Sequence, residues 1–556
     1  MNSWRGLLIT LLLSCSCVAV AAEDGEKDKV ESRAVVTGAP VPPVAPPPRD
    51  SVTEGTVMVA GRTVEYRAIA GTLTVGSADP QDAALGPDGQ MLADSGEKML
   101  DPAKPEEAPA TARIFYVAYF KKDAPPETRP LMFLYNGGPG SSTMWLHMGS
   151  FGPRRVVTTD TQHDPGAPYK LVSNPYSLLD VSDLVFIDAP GTGFSRIMGK
   201  DKEKAFWSTD QDAHAFERFI RRFLTKFDRW NSPKYLFGES YGTPRSAVLS
   251  AMLQSVDLNG IVLLSAILSF SNSVDLARWN PGVEQPYAFA LPTYAATAFY
   301  HHKLPKQPAA LEPFLKEVEK FAMEEYMPAL LEGSELREAR KQAIAETLHL
   351  YTGLPVAYLL KANLRVSGGA FSKNLQDADG ITTGRLDTRY QGPDYNRLSE
   401  EADYDPQSNA ISAAYTTAIN HYLRSELKYG DTQTYKPTIY QEGNPPAFQW
   451  DLRHQAPGGP PAWVSFGGTN VMPDLATAMK ANPKMKVLLT GGYYDLATPF
   501  FQGIYEMRHL PIPQELQANI RYHYYEAGHM VYVNEGILRL FHDDVATFIH
   551  ETSGVK

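Results

Sequence analysis

Six short, nearly continuous apolar runs constrain this chain most: ARIFYVAYF (112–120), LMFLY (131–135), DLVFID (183–188), KYLF (234–237), GIVLLS (260–265) and KVLLT (486–490). A strand with one face in water alternates apolar and polar residues, whereas runs of this kind suit strands buried on both faces. Between two of them, Asp210 to Phe227 sets Ala213, Phe216, Phe219, Ile220, Phe223 and Phe227 on one helical face, the crossover that parallel strands require. Strand alternating with helix predicts an α/β fold, a mostly parallel central sheet with helices on both faces. From about 270 to 475 the pattern changes to helix-rich, aromatic sequence, including 309–330 and 334–350, and the alternation resumes at 484. We read 270–475 as an inserted helix-rich cap on a core built from 51–269 and 476–556. Tyr287, Phe289, Tyr294 and Phe299 are expected in the core of that cap rather than in a pocket wall.

With 556 residues, 43% hydrophobic and 21% charged, the chain has ample material for a core, and a prior of roughly 150 residues per domain suggests two to four domains. Its net charge of −11 and lack of a basic run argue against a nucleic-acid partner. The two cysteines, Cys15 and Cys17, fall in an apolar run, GLLITLLLSCSCVAVAA, that follows a short basic start and ends in A-x-A at Ala19 to Ala21. This predicts a signal peptide over 1–21, an exported protein of the periplasm or extracellular space, and a mature chain without cysteine. Lipid attachment at Cys15, after Leu12-Leu13-Ser14, is the alternative. No later apolar stretch reaches 18 residues, so no integral span is expected after cleavage. Residues 22–50, Pro-rich from Ala34 to Asp50, are expected to be a disordered tether, with the folded body starting near Ser51 in a hairpin at a sheet edge.

Chemistry is concentrated in turns that follow the apolar runs. Gly238-Glu239-Ser240-Tyr241-Gly242 stands between Tyr235-Leu236-Phe237 and a plausible helix, Arg245 to Leu253, the strand-turn-helix setting of a nucleophile elbow. A serine needs a histidine to take its proton and an acid to fix the histidine's tautomer, in the chain order Ser, Asp, His on this kind of fold. Asp495, in GGYYDLATP after KVLLT, and His529, in EAGHMVY after the last strand, meet that order. The glycine-rich loop Asn136 to Ser142 directly follows LMFLY, and its backbone N–H groups can approach a developing oxyanion. It lacks the Lys-Ser/Thr of a phosphate loop. His523 reads as a strand residue and His301-His302 as the polar end of a cap helix. His301-His302 lack a carboxylate or Cys at ligand spacing, and the proposed chemistry needs no metal or organic cofactor.

Taken together, YNGGPGSS (135–142), NPYSLLD (174–180), DAPGTGFS (188–195), GESYG (238–242), the YYD turn and AGHM (527–530) resemble the serine carboxypeptidase family, over roughly 110–265 and 484–535. The resemblance implies an α/β-hydrolase fold and removal of single residues from peptide C-termini, with Ser240 as nucleophile, His529 as general acid/base and Asp495 as its orienter. It implies an oxyanion hole from the N–H groups of Gly138 and Tyr241, and a clamp on the substrate's terminal carboxylate from Asn136, Gly137 and Glu239. Glu239 donates to a carboxylate only while protonated, which favours acid pH. The chain departs from the family in three places. Ser141 stands where many members have a disulfide-bonded cysteine, consistent with a bacterial branch. Ser150 stands about where some have a second acid of the carboxylate network, and the segment after Asp188 is one residue short. The expected function is therefore an exported serine carboxypeptidase acting on peptides through an acyl-enzyme. A serine esterase or acyltransferase acting on a small acyl substrate is the alternative, and a non-catalytic envelope-binding protein a second one.

Overall fold

Each of the six apolar runs forms a strand, flanked on both faces as their composition requires. The computed structural model describes residues 49–92, 107–253, 255–439, 449–460 and 468–555, all within one unit, Pro46–Lys556. The predicted leader, Cys15 and nearly all of the tether lie outside the described residues. Ten strands among those described make the main sheet: β1 (Ser51–Val59), β2 (Arg62–Gly76), β3 (Thr111–Lys121), β4 (Leu131–Tyr135), β5 (Asp183–Ile187), β6 (Arg196–Met198), β7 (Lys234–Glu239), β8 (Gly260–Leu264), β9 (Lys486–Gly492) and β10 (Ile520–Tyr525). Their spatial order is β1-β2-β3-β5-β4-β7-β8-β9-β10, with β6 paired to the start of β3. The predicted hairpin is β1–β2, turning at Ala60 and Gly61 with β1 on the sheet edge. From β5 to β10 every neighbouring pair is parallel.

Helices used below are α1 (Met144–Gly149), α2 (Thr209–Lys226), α3 (Gly242–Met252), α4 (Gln285–Tyr300), α5 (Pro406–His421), α6 (Met472–Ala481), α7 (Phe500–Arg508) and α8 (Glu535–Thr552). In β4, Leu131, Phe133 and Tyr135 face the apolar core shared with α2, α3 and α6, while Met132 and Leu134 face the one shared with α1, α5 and α8. Residues of both parities are therefore buried, and the run reads as continuous. The crossover α2 starts at Ser208, whose side chain accepts from the Gln211 N–H. It buries Phe216, Phe219, Ile220 and Phe223, each contributing about 1.5–3 kcal/mol by leaving water. The chain thus has the α/β-hydrolase architecture.

The helix-rich stretch predicted over 270–475 lies between β8 and β9. Its α4 packs with Leu311–Phe321 and Glu338–Thr352 in a third apolar core that includes Phe500, Phe501 and Ile504 of α7, whereas α5 joins a core of the main sheet. Tyr287, Phe289 and Tyr294 are buried in that third core and Phe299 packs against it. Among the described residues no helix is long and apolar enough to cross a membrane.

Candidate active site

The C-terminal ends of parallel strands collect the residues singled out above, as open α/β sheets do. Asn136 to Gly138 follow β4, Glu239 ends β7, Asp495 follows β9 and His529 follows β10. Ser240 occupies the sharp turn between β7 and α3 with φ of +58°, a left-handed conformation costly for a residue with a Cβ. Its N–H donates to the Leu264 carbonyl (3.0 Å), which holds the turn in place. The turn also requires glycine at 238, where a Cβ would collide with the Gly242 carbonyl oxygen. Ser240 lines a cavity of about 540 Å³ together with Asn136, Gly137, Gly138, Glu239, Tyr241 and His529.

Asp495 stands behind this wall, 1% exposed, with Oδ2 2.8 Å from His529 Nδ1. It is itself fixed by Thr498, whose N–H donates to Oδ1 (3.0 Å) and whose hydroxyl donates to Oδ2 (2.7 Å). The His529 backbone is held on both sides: its N–H donates to the Leu386 carbonyl (2.6 Å), and its own carbonyl accepts from the Ser265 hydroxyl (2.8 Å). Burial works against a charged imidazole here, but the Asp495 carboxylate outweighs it and raises the His529 pKa above its ordinary value. A carboxylate on Nδ1 keeps the proton on that nitrogen and leaves Nε2 able to take one from a hydroxyl.

The glycine loop and the elbow meet closely. A Cβ on Gly137 would run into the Tyr241 backbone nitrogen, so only glycine allows this approach. Among the described residues the N–H groups of Gly138 and Tyr241 make no hydrogen bond to protein acceptors, which leaves both available at the cavity wall. We expect Gly137→Ala to lower kcat by about 10²-fold or more by pushing the Tyr241 N–H out of place, a displacement that steady-state kinetics with a circular-dichroism check on folding will detect.

Glu239 is 3% exposed and accepts a hydrogen bond from the Tyr532 hydroxyl (2.8 Å). Asn136 turns its Oδ1 to the Leu146 N–H (3.0 Å), and its amide group hydrogen-bonds Glu239. Burial pushes the Glu239 pKa up to about 7, even though His529 and these two hydrogen bonds pull it down. Ser150 takes no part: its hydroxyl donates to the Leu146 carbonyl (2.6 Å) at the end of α1. The hydroxyl that does meet Glu239 is the Tyr532 phenol. Asp188, also buried, accepts from the Thr143 N–H (2.9 Å), the Phe194 N–H (3.3 Å) and the Tyr435 hydroxyl (3.2 Å), tying the DAPGTGFS turn to the glycine loop.

Three supporting residues were not found from the sequence. Thr498 had a local signal, the Asp-x-x-Thr spacing of a turn in which the aspartate accepts from the third N–H. Tyr532 and Arg245 had none. The Arg245 guanidinium is buried, pairs with Asp212 (2.5 Å), donates to the Asn136 carbonyl (2.8 Å) and lies over the Tyr241 ring. His523 sits in β10, paired with Asp544 (3.0 Å), and His301 contacts the Thr388 carbonyl (2.7 Å), both away from the cavity. Among the described residues no group of three or more His, Cys, Asp or Glu side chains is placed to hold a metal ion.

Residues 105–259 match the family model described as serine carboxypeptidase. Over that stretch the chain is similar to the serine carboxypeptidase family. Serine carboxypeptidase S10 family member 1 of Dictyostelium discoideum is 31% identical over 133 residues, 23% of this chain and 29% of its own length. Serine carboxypeptidase-like 16 of Arabidopsis thaliana is 30% identical over 190 residues, 32% of this chain and 41% of its own length. The matches thus span well under half of these relatives. A solved prohormone-processing carboxypeptidase from Saccharomyces cerevisiae superposes with a TM-score of 0.47 at 14% identity, covering 87% of this chain and 91% of that one. The matched segment contains the glycine loop and the elbow. Asp495 and His529 lie beyond it, brought to the elbow by the fold.

Proposed function

We propose that this chain is a serine carboxypeptidase. The observation that carries the reading is a single cavity lined by Ser240, by the Asp495-braced His529, and by the buried Glu239 with its Asn136 partner. In this reading the peptide's terminal carboxylate lies against the Asn136 amide, the Gly137 N–H and protonated Glu239. Ser240 Oγ attacks the last peptide carbonyl while His529 Nε2 takes its proton. The Gly138 and Tyr241 N–H groups receive the oxyanion. The C–N bond then breaks as His529 returns the proton to the leaving amine, and water hydrolyses the acyl-enzyme by the same steps in reverse. Residues 270–475 act as the cap, since Leu276, Arg385, Leu386 and Ile411 from that stretch line the cavity. The leader motif over 1–21 supports export of the chain.

Mass spectrometry of a ten-residue peptide with a free C-terminus tests this. The reading expects loss of one residue at a time from that end, and none with Ser240→Ala. Ester hydrolysis without any peptide shortening would indicate an esterase or acyltransferase, and failure of a fluorophosphonate to label Ser240 would indicate a protein without turnover.

A further inference from the structure

Outside the catalytic constellation, the buried His454 stands between two carboxylates. His454 has Nδ1 2.5 Å from Asp210 Oδ1 and Nε2 2.8 Å from Asp474 Oδ2. Ionised carboxylates only accept hydrogen bonds, so both ring nitrogens donate and the ring is an imidazolium. Each partner lies in the first turn of a helix, Asp210 in α2 and Asp474 in α6, where unpaired backbone N–H groups support negative charge. Asp210 also accepts the Gln455 N–H (3.1 Å). The neighbouring Arg453 is engaged by Asp451 (2.6 Å), so the charges facing the ring are these two carboxylates. Burial opposes the ring's charge, but the two carboxylates raise its pKa to about 9, above its ordinary value. The clamp is therefore held at neutral pH and lost as pH rises through about 9, and in acid it loosens as Asp474, whose pKa burial raises above its ordinary value, takes up a proton.

The segment carrying this histidine also builds the cavity. Residues 449–460 are joined to the start of α2 through the Asp451 N–H to the Trp207 carbonyl (3.0 Å) and the Thr209 N–H to the Asp451 carbonyl (3.0 Å). From it Trp450 and Leu452 line the cavity, and the Trp450 ring meets the Tyr241 ring edge-on, centroids 5.2 Å apart at 81°. Tyr241 is the residue whose N–H is read above as an oxyanion donor.

The geometry points to His454 as a positioning residue: by locking 449–460 to the N-termini of two helices, it fixes Trp450 and Leu452 as the wall that meets the substrate beyond the reacting carbonyl. The inference rests on the hydrolase reading of the cavity. It is tested in the full chain with His454→Gln, Asp474→Asn and the double variant, by hydrogen exchange and by hydrolysis of p-nitrophenyl acetate and p-nitrophenyl octanoate. We expect exchange in 449–460 to rise about tenfold or more while the central strands stay protected. For the octanoate, kcat/KM falls about tenfold, mostly through KM, while the acetate changes less than about twofold. The double variant is no worse than either single one, because all three remove the same contact. Unchanged exchange in 449–460, or an equal loss on both esters with exchange rising across the whole sheet, overturns the inference. If the wild-type chain hydrolyses neither ester nor peptide, the hydrolase reading fails, and the exchange measurement alone decides the clamp.

Discussion

We expect Asp495→Asn to lower kcat by about 10⁴-fold and to leave KM within a few fold. Asp495 does not itself line the cavity, but its Oδ2 is the hydrogen-bond partner of His529 Nδ1, which does. An asparagine there offers an N–H₂ to Nδ1, which stabilises the tautomer with the proton on Nε2, the nitrogen that must receive the Ser240 proton. The fold should survive, because the substitution is nearly isosteric and the Thr498 hydroxyl can accept as well as donate. Steady-state kinetics, with thermal unfolding as a control, measures the effect. A loss of under tenfold would mean that Thr498, whose hydroxyl is also 3.3 Å from His529 Nδ1, orients the ring by itself.

The second large effect concerns Glu239. With its pKa raised to about 7, it is mostly protonated in mildly acid solution and donates to a bound carboxylate, and it loses that ability as pH rises through 7. His529 must be neutral to act as base, and the two groups influence each other, so they titrate as a coupled pair and give a bell-shaped profile. Glu239→Gln keeps a donor at every pH and removes a negative charge that raises the His529 pKa. The alkaline limb should therefore disappear and the acid limb move to lower pH, raising activity at pH 8 relative to pH 5 by about tenfold or more. Stability changes in the same window. A carboxyl whose pKa is higher in the folded state than in the unfolded one binds more protons when folded, so the wild-type protein loses stability as pH rises from about 4.5 to 7. The shift corresponds to roughly 3 kcal/mol. Glu239→Gln should thus unfold at a higher temperature than wild type at pH 8 and at nearly the same temperature at pH 4. An unchanged profile and unchanged unfolding would remove Glu239 from the carboxylate clamp.

The parts of this protein that were legible in the sequence share a local cause. Leu131 to Tyr135 is apolar at every position because the sheet is covered on both faces, and the glycines of the elbow are needed because backbone atoms approach within a few residues. Ser240, Asp495 and His529 could be placed because each stands just after a recognisable strand. What was not legible depends on contacts across the chain. Tyr532 reaches Glu239 from 293 residues away, and Arg245 looks like an ordinary helix residue until Asp212, 33 residues upstream, is seen beside it. The helix-rich stretch illustrates the same limit. Its aromatic residues were correctly expected in a core, but which of its side chains reach the cavity, Leu386 and Ile411 among them, follows from packing that no periodicity encodes.

In the proposed reading Ser240 is the nucleophile of a site that reads a terminal carboxylate through Asn136 and Glu239. The most direct test compares hydrolysis of a blocked dipeptide bearing a free C-terminal carboxylate with that of its C-terminal amide from pH 4 to 8, with Ser240→Ala as control. Strong preference for the free acid is expected, greatest at low pH and absent in the Ser240→Ala variant. Equal turnover of acid and amide, or turnover that survives Ser240→Ala, would contradict it.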